Sequence, residues 1–173
     1  MFIDCGVCII RSWQRGDEET LPLYANDRDI WLNLRDRFPY PYTKEDAKQW
    51  VEFMINARPE TGFAITVDGE AVGTIGFLLH DDIERCSAEV GYWLGRQYWG
   101  RGIITAALKA ITRYAFSEFE LTRLYAVPFV RNPASMKVLE NAGYQREGIM
   151  QRSAIKDGQV LDQALYAYTV DKE

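Results

Sequence analysis

Tyr92-Trp93-Leu94-Gly95-Arg96-Gln97-Tyr98-Trp99-Gly100-Arg101-Gly102-Ile103-Ile104-Thr105 is the stretch on which the fold turns. It reads as the end of a strand, a glycine-bearing turn over 98–102 and the start of a helix. Upstream, 87–94 has strand character. Downstream, 103–116 sets Ile104, Leu108, Ile111 and Ala115 on one stripe, the pattern of a helix buried along one face. The first amides of such a helix have no internal acceptor, and the peptide dipoles add partial positive charge there. Glycines let the main chain approach an anion closely, so the segment reads as a backbone cradle for phosphate.

Two familiar phosphate sites do not fit. A Walker loop places Lys-Ser/Thr after its last glycine, where Ile103-Ile104 stands here. A dinucleotide fingerprint needs a third small residue where Thr105 stands, and an acidic residue ending the next strand. A third class binds the diphosphate of coenzyme A. The motif alone leaves that site and a ligand-free structural loop both open.

Working outward, a first strand is predicted over 7–13 and a loosely helical stretch over 18–34, interrupted by Pro22. The turn Phe38-Pro39-Tyr40-Pro41-Tyr42 ends it, since each proline keeps its predecessor extended. Thr43 then caps a helix carrying Ala47, Trp50, Val51 and Met54 on one face. Strands over 63–67 and 71–79 flank Asp68-Gly69, a hairpin signal. Beyond the central helix, 123–127 is a short strand. Asn132 caps a helix with Pro133 at its first position and Gly143 at its close. Strands over 152–156 and 160–170 flank Asp157-Gly158. The order predicts an α/β fold with a mixed, mostly antiparallel sheet.

The 173 residues fit one domain over 1–173. Forty-seven per cent are hydrophobic and 26% charged, which excludes a disordered chain. An aromatic share of 13% suits a core with a wide cleft. A net charge of −5 does not advertise direct nucleic-acid binding and suits a cationic acceptor. Three cysteines do not make a disulfide framework. Cys5-Gly6-Val7-Cys8 lacks the further ligands of a zinc site and leads into a strand, so these read as strand cysteines and no metal is expected. His80, the one histidine, reads as a surface residue. No apolar run reaches the ~18 residues of a membrane span and no basic leader precedes an apolar core, so a cytoplasmic location is expected, with no membrane partner.

At this point the chain resembles the GNAT acetyltransferases, over nearly its whole length. The family's acetyl-CoA signature falls on Trp99-Gly100-Arg101-Gly102-Ile103-Ile104; Gly102 matches it, whereas Trp99 and Ile104 depart from it. The runs Gly91–Leu94 and Tyr98–Gly102, Asn26-Asp27, Phe38–Thr43, and Asn132-Pro133-Ala134-Ser135 ending at Gly143-Tyr144 resemble the branch of the ribosomal-protein N-terminal acetyltransferases. The resemblance implies a GNAT fold: a twisted sheet flanked by helices, with a splay that holds acetyl-CoA. It implies that backbone groups of Tyr92, Trp93 and Leu94 pair with the pantetheine arm, and that the loop from Trp99 through Gly100, Arg101, Gly102, Ile103, Ile104 and Thr105 cradles the diphosphate. Asn132 would hydrogen-bond the arm. Acetyl-CoA is then the co-substrate. A small-molecule amine or a peptide N-terminus is the acceptor. A non-catalytic coenzyme A-binding regulatory module is the alternative, and the oligomeric state, homodimer included, stays open.

Acetyl transfer to an amine needs a base to take a proton and an acid at the departing sulfur. Alternation sets Glu89, Gly91 and Trp93 on one strand face, making Glu89 the base candidate, against the reading of an ion pair. The tyrosine that many relatives carry seven positions after the asparagine is Leu139 here. Ser135, in the first turn of the same helix, is the acid candidate, against the reading of a hydroxyl serving the helix start; Tyr144 is a substitute. Trp31, Tyr40 and Tyr42 either line the acceptor's entry or pack under a loop.

Overall fold

The computed structural model describes residues 1–171, so only the last two residues of the expected 1–173 domain lie outside the described part. Eight strands form one open mixed sheet in the order β1-β2-β3-β4-β5-β6-β8-β7. They are β1 (Phe2–Asp4), β2 (Ile9–Arg11), β3 (Gly62–Val67), β4 (Glu70–Leu79), β5 (Ser87–Leu94), β6 (Arg123–Ala126), β7 (Gln145–Lys156) and β8 (Gln159–Thr169). The helices are α1 (Asp17–Ala25), α2 (Arg28–Trp31), α3 (Lys44–Asn56), α4 (Ile103–Glu118) and α5 (Pro133–Asn141). The chain divides into two compact units, Met1–Gly76 with Tyr92–Ala107, and Phe77–Gly91 with the chain from Leu108 onward.

In the first unit, β2, β3 and the start of β4 are antiparallel neighbours around a core that includes Ile10, Phe63, Ile65 and Ile75. Asp68 and Gly69, at φ 51° and 87°, make the tight reversal that Asp-Gly announces. Helix α3 starts as its sequence dictates. Thr43 accepts from the Asp46 amide, and the Asp46 carboxylate accepts in return from the Thr43 amide. Ala47 and Val51 turn inward from it. The buried Asp17 takes two hydrogen bonds from Arg11, 2.8 and 2.7 Å long, and a third from the Gln14 amide, fixing where α1 begins.

Two expectations need correction here. The predicted strand over 7–13 is only β2, because β1 precedes it and the chain reverses at Cys5–Cys8. The Cys5 amide donates to the Cys8 carbonyl (2.9 Å), the Asp4 carboxylate accepts from Gly6, and Gly6 sits at φ 80°. The cysteines therefore bound a hairpin turn. The stretch over 18–34 is two helices rather than one. Asp27 is extended, at φ −136°, and its carboxylate accepts from the Asp29 and Ile30 amides, so a new helix starts where the first would have continued.

In the second unit, the stripe Leu108, Ile111 and Ala115 on α4 is buried, with Leu121, Leu124, Leu139, Tyr144 and Tyr166 completing its core. Asn132 caps α5, Pro133 opens it and Gly143, at φ 94°, closes it, as read from the sequence. Strand β7 is longer than the predicted 152–156. Its first residues, Gln145 to Glu147, are polar and exposed, which hides a strand at the sheet's margin from a hydrophobicity pattern. A register shift between Met150 and Ala154 further breaks the alternation.

Candidate active site

The first unit carries the glycine turn. The end of β5 is held against β4 by the Gly95 amide, which donates to the Val72 carbonyl at 2.8 Å. Gly73 makes that approach possible: a Cβ there would collide with the Trp93 carbonyl oxygen and lie 3.0 Å from Leu94 Cα. A single 3-10 turn, Arg96–Tyr98, follows, and the Trp99 indole N–H reaches back to the Leu94 carbonyl at 2.7 Å. Gly100 and Gly102 adopt φ 74° and 73°, a conformation other L-residues resist. The Gly102 carbonyl accepts from the Ala106 amide at 3.0 Å, so Gly102 is the N-cap of α4. The amides of Ile103, Ile104 and Thr105 are therefore first-turn donors. A Cβ built on Gly100 or Gly102 meets nothing within 4 Å, so the loop opens onto free space. The glycine turn and the helix start expected from the sequence are present.

The turn is braced on three sides. Arg96 bonds the Asp27 carboxylate at 2.7 and 2.9 Å and also pairs with Asp29. Tyr98 packs edge-on to Tyr24, ring centres 5.7 Å apart, and the Tyr24 hydroxyl donates to Glu70. Arg101 lies over the Tyr98 ring at 5.3 Å. Arg96 lies within the quoted motif, and no local spacing in the sequence pairs it with Asp27, 69 residues away.

The expected acceptor rings divide. Tyr42 is buried, its amide bonds Asn26 Oδ1 at 2.9 Å, and burial raises its hydroxyl pKa. Phe38 packs between it and Trp93, 5.1 and 5.7 Å from their ring centres. Tyr42 is thus a core residue of this unit. Trp31 is half-buried and Tyr40 exposed, their rings 5.7 Å apart.

The second unit carries the catalytic candidates. Strand β5 pairs in parallel with β6 through Ser87–Arg123, Ala88–Leu124 and Glu89–Tyr125, and β5 then runs on to Leu94 while β6 ends at Ala126. Ala88 and Val90 are buried, whereas Glu89 is half-buried and Gly91 exposed. Alternation thus sets Glu89 and Gly91 on the more open face, and a Cβ at Gly91 would meet nothing within 4 Å. Asn132 Oδ1 accepts from the Ser135 amide at 3.2 Å. Ser135 stands in the first turn of α5, half-buried. Leu139 is fully buried core. The Thr112 hydroxyl donates to the Leu108 carbonyl at 2.7 Å, so at their 2.8 Å contact the buried Tyr144 hydroxyl is the donor. That proton is engaged within the core.

His80 differs most from its sequence reading. It is half-buried, its Nε2 lies 2.8 Å from the Tyr125 hydroxyl, and the two rings stack at 5.7 Å and 8°. Among the described residues, no cluster of three or more metal-ligating side chains is found, and no helix is long and apolar enough to cross a membrane.

One strand, β5, carries Glu89 and then runs through the glycine turn into the buried helix α4. Residues 8–145 match the family described as an acetyltransferase (GNAT) domain, and the chain belongs to that family. It is an N-acetyltransferase with a GNAT fold. An uncharacterized N-acetyltransferase, p20, of Bacillus licheniformis is 28% identical over 166 residues, 91% of this chain and 90% of that protein. The ribosomal-protein-serine acetyltransferase of Escherichia coli (strain K12) is 29% identical over 147 residues, 83% and 82% of the two chains. The solved structure of Mycobacterium smegmatis RimJ in complex with CoA-disulfide superposes with a TM-score of 0.80, at 26% identity, over 95% of this chain and 83% of that one.

Proposed function

We propose that this N-acetyltransferase uses acetyl-CoA and moves the acetyl group to a primary amine, a protein N-terminus or a small molecule, by direct attack of the amine on the thioester. The observation that carries the reading is the cradle: Gly100 and Gly102 at positive φ, open space above them, and a buried helix beginning at Ile103. Its amides from Gly100 to Thr105 hold the diphosphate, a role that suits fixed donors and a helix dipole. Backbone groups of Tyr92, Trp93 and Leu94 and the Nδ2 of Asn132 serve the amide-bearing arm.

Bound acetyl-CoA supplies an activated acetyl thioester. The chain's own groups handle protons. Glu89, half-buried on the open face of β5, takes the proton that the attacking nitrogen must lose. Ser135 protonates the departing sulfur. Trp31 and Tyr40 border the acceptor's entry. Residues 1–173 act as one catalytic domain. The ribosomal-protein-serine acetyltransferase among the relatives supports a protein as the acceptor class.

The test is a thiol-release assay with acetyl-CoA, run on peptides with free N-terminal serine or alanine and on small amines, with mass spectrometry of the products. Acetylated amine is expected from at least one class. Tight coenzyme A binding with no product from any acceptor would instead favour a regulatory module.

A further inference from the structure

We propose that His80 and Tyr125 form the proton outlet for Glu89, acting as positioning and relay residues behind the base; this rests on the reading of Glu89 given above. Glu89 and Tyr125 are directly opposed in the parallel β5–β6 register, so their side chains rise from the same face, on strands about 4.8 Å apart. The Tyr125 hydroxyl is 2.8 Å from His80 Nε2, and the stacked rings hold that geometry. The His80 amide donates to the Ser87 carbonyl at 3.2 Å, which ties the imidazole's backbone to the strand that carries Glu89. Glu89 and Tyr125 thus share one sheet face, and the Tyr125 hydroxyl leads on to the imidazole.

The transfer balances without any redox partner. The attacking nitrogen gives its proton to the Glu89 carboxylate. Glu89 passes a proton to the Tyr125 oxygen as the Tyr125 O–H delivers its own to His80 Nε2. The imidazolium then loses a proton to water, and tautomer exchange restores the Nε2 lone pair. Glu89 is left ionised for the next turnover. The charged neighbours are Arg123, whose guanidinium lies 5.7 Å from the Tyr125 ring centre, Glu147, which bonds Arg123 at 2.7 Å, and Asp81, Asp82, Glu84 and Arg85 in the turn after His80.

His80 is the chain's one histidine, so its ring nitrogens can be read by NMR without overlap and without any acceptor. Nε2 is expected to be the unprotonated nitrogen of the neutral ring. Nε2 carrying the proton overturns the relay. In kinetics with acetyl-CoA and a peptide bearing N-terminal serine, His80→Gln should lower kcat about tenfold with both KM values unchanged. Added imidazole should restore part of the rate to His80→Ala but leave the native enzyme unaffected. If Glu89→Gln slows turnover and His80→Gln does not, the relay fails and the base stands. If neither matters, both fail. Melting temperatures of each variant separate these outcomes from loss of fold.

Discussion

Arg96 and Asp27 stand 69 residues apart in the chain, yet two hydrogen bonds of 2.7 and 2.9 Å join them in a fork. Asp27 also caps α2, so one carboxylate fixes the start of that helix and the first residue of the turn leading to the glycine cradle. The geometry is bidentate, which a lysine at 96 could not reproduce.

Arg96→Ala should therefore loosen the turn and weaken acetyl-CoA binding about threefold to tenfold, with Arg96→Lys in between. Calorimetric titration of each variant checks this. Equal affinity in all three would make the fork a surface ion pair with no bearing on the cradle.

The same contact gives an acid dependence. Hydrogen bonding from Arg96 holds the Asp27 carboxyl below the usual carboxylate range, against the opposing effect of burial. Its contribution to stability is fully present above the unfolded carboxyl's pKa, roughly 3.9, and is lost as pH falls through the lowered folded value. Thermal melts from pH 6 to pH 3 should show a smaller acid-induced drop for Arg96→Ala than for the native chain, relative to each protein's value at pH 6.

Arg11 and Asp17 form a more deeply buried pair, with side chains 13% and 5% exposed. Arg11→Ala leaves the Asp17 charge without its partner and should cost about 3 kcal/mol or more of stability. Arg11→Met with Asp17→Leu should recover part of that loss. Recovery should be incomplete, because Asp17 also accepts from the Gln14 amide. Urea denaturation of the two variants measures the difference.

The cysteines should differ sharply in reactivity. Burial, then the neighbouring Cys5 and Asp4, push the Cys8 thiol up to about 12, whereas Cys86 is exposed. Iodoacetamide at pH 8 should label Cys86 first and spare Cys8 until the protein is unfolded. Peptide mapping after timed quenching reads the order.

Much of this fold was legible because local chemistry and tertiary structure agree. Asp68-Gly69, Asp157-Gly158 and Asn132-Pro133 mark reversals and a cap that each need only a few residues, and the buried stripe on α4 follows from its own period. The glycine turn and the start of α4 were legible for the same reason. What escaped is non-local or too short to have a period. Strand β1 has three residues and closes through a turn whose glycine follows a cysteine. The burial of Tyr42 depends on Phe38 and Trp93 meeting from distant segments. The His80–Tyr125 stack joins residues 45 apart, and no spacing rule announces it.

The central claim is that the amides opening α4 hold the diphosphate of acetyl-CoA. Titrating the 15N-labelled protein with acetyl-CoA and following each amide tests it most directly. The account predicts that the largest shifts fall on Gly100 to Thr105. It is contradicted if saturating acetyl-CoA leaves those amides unmoved, or if the largest shifts cluster elsewhere.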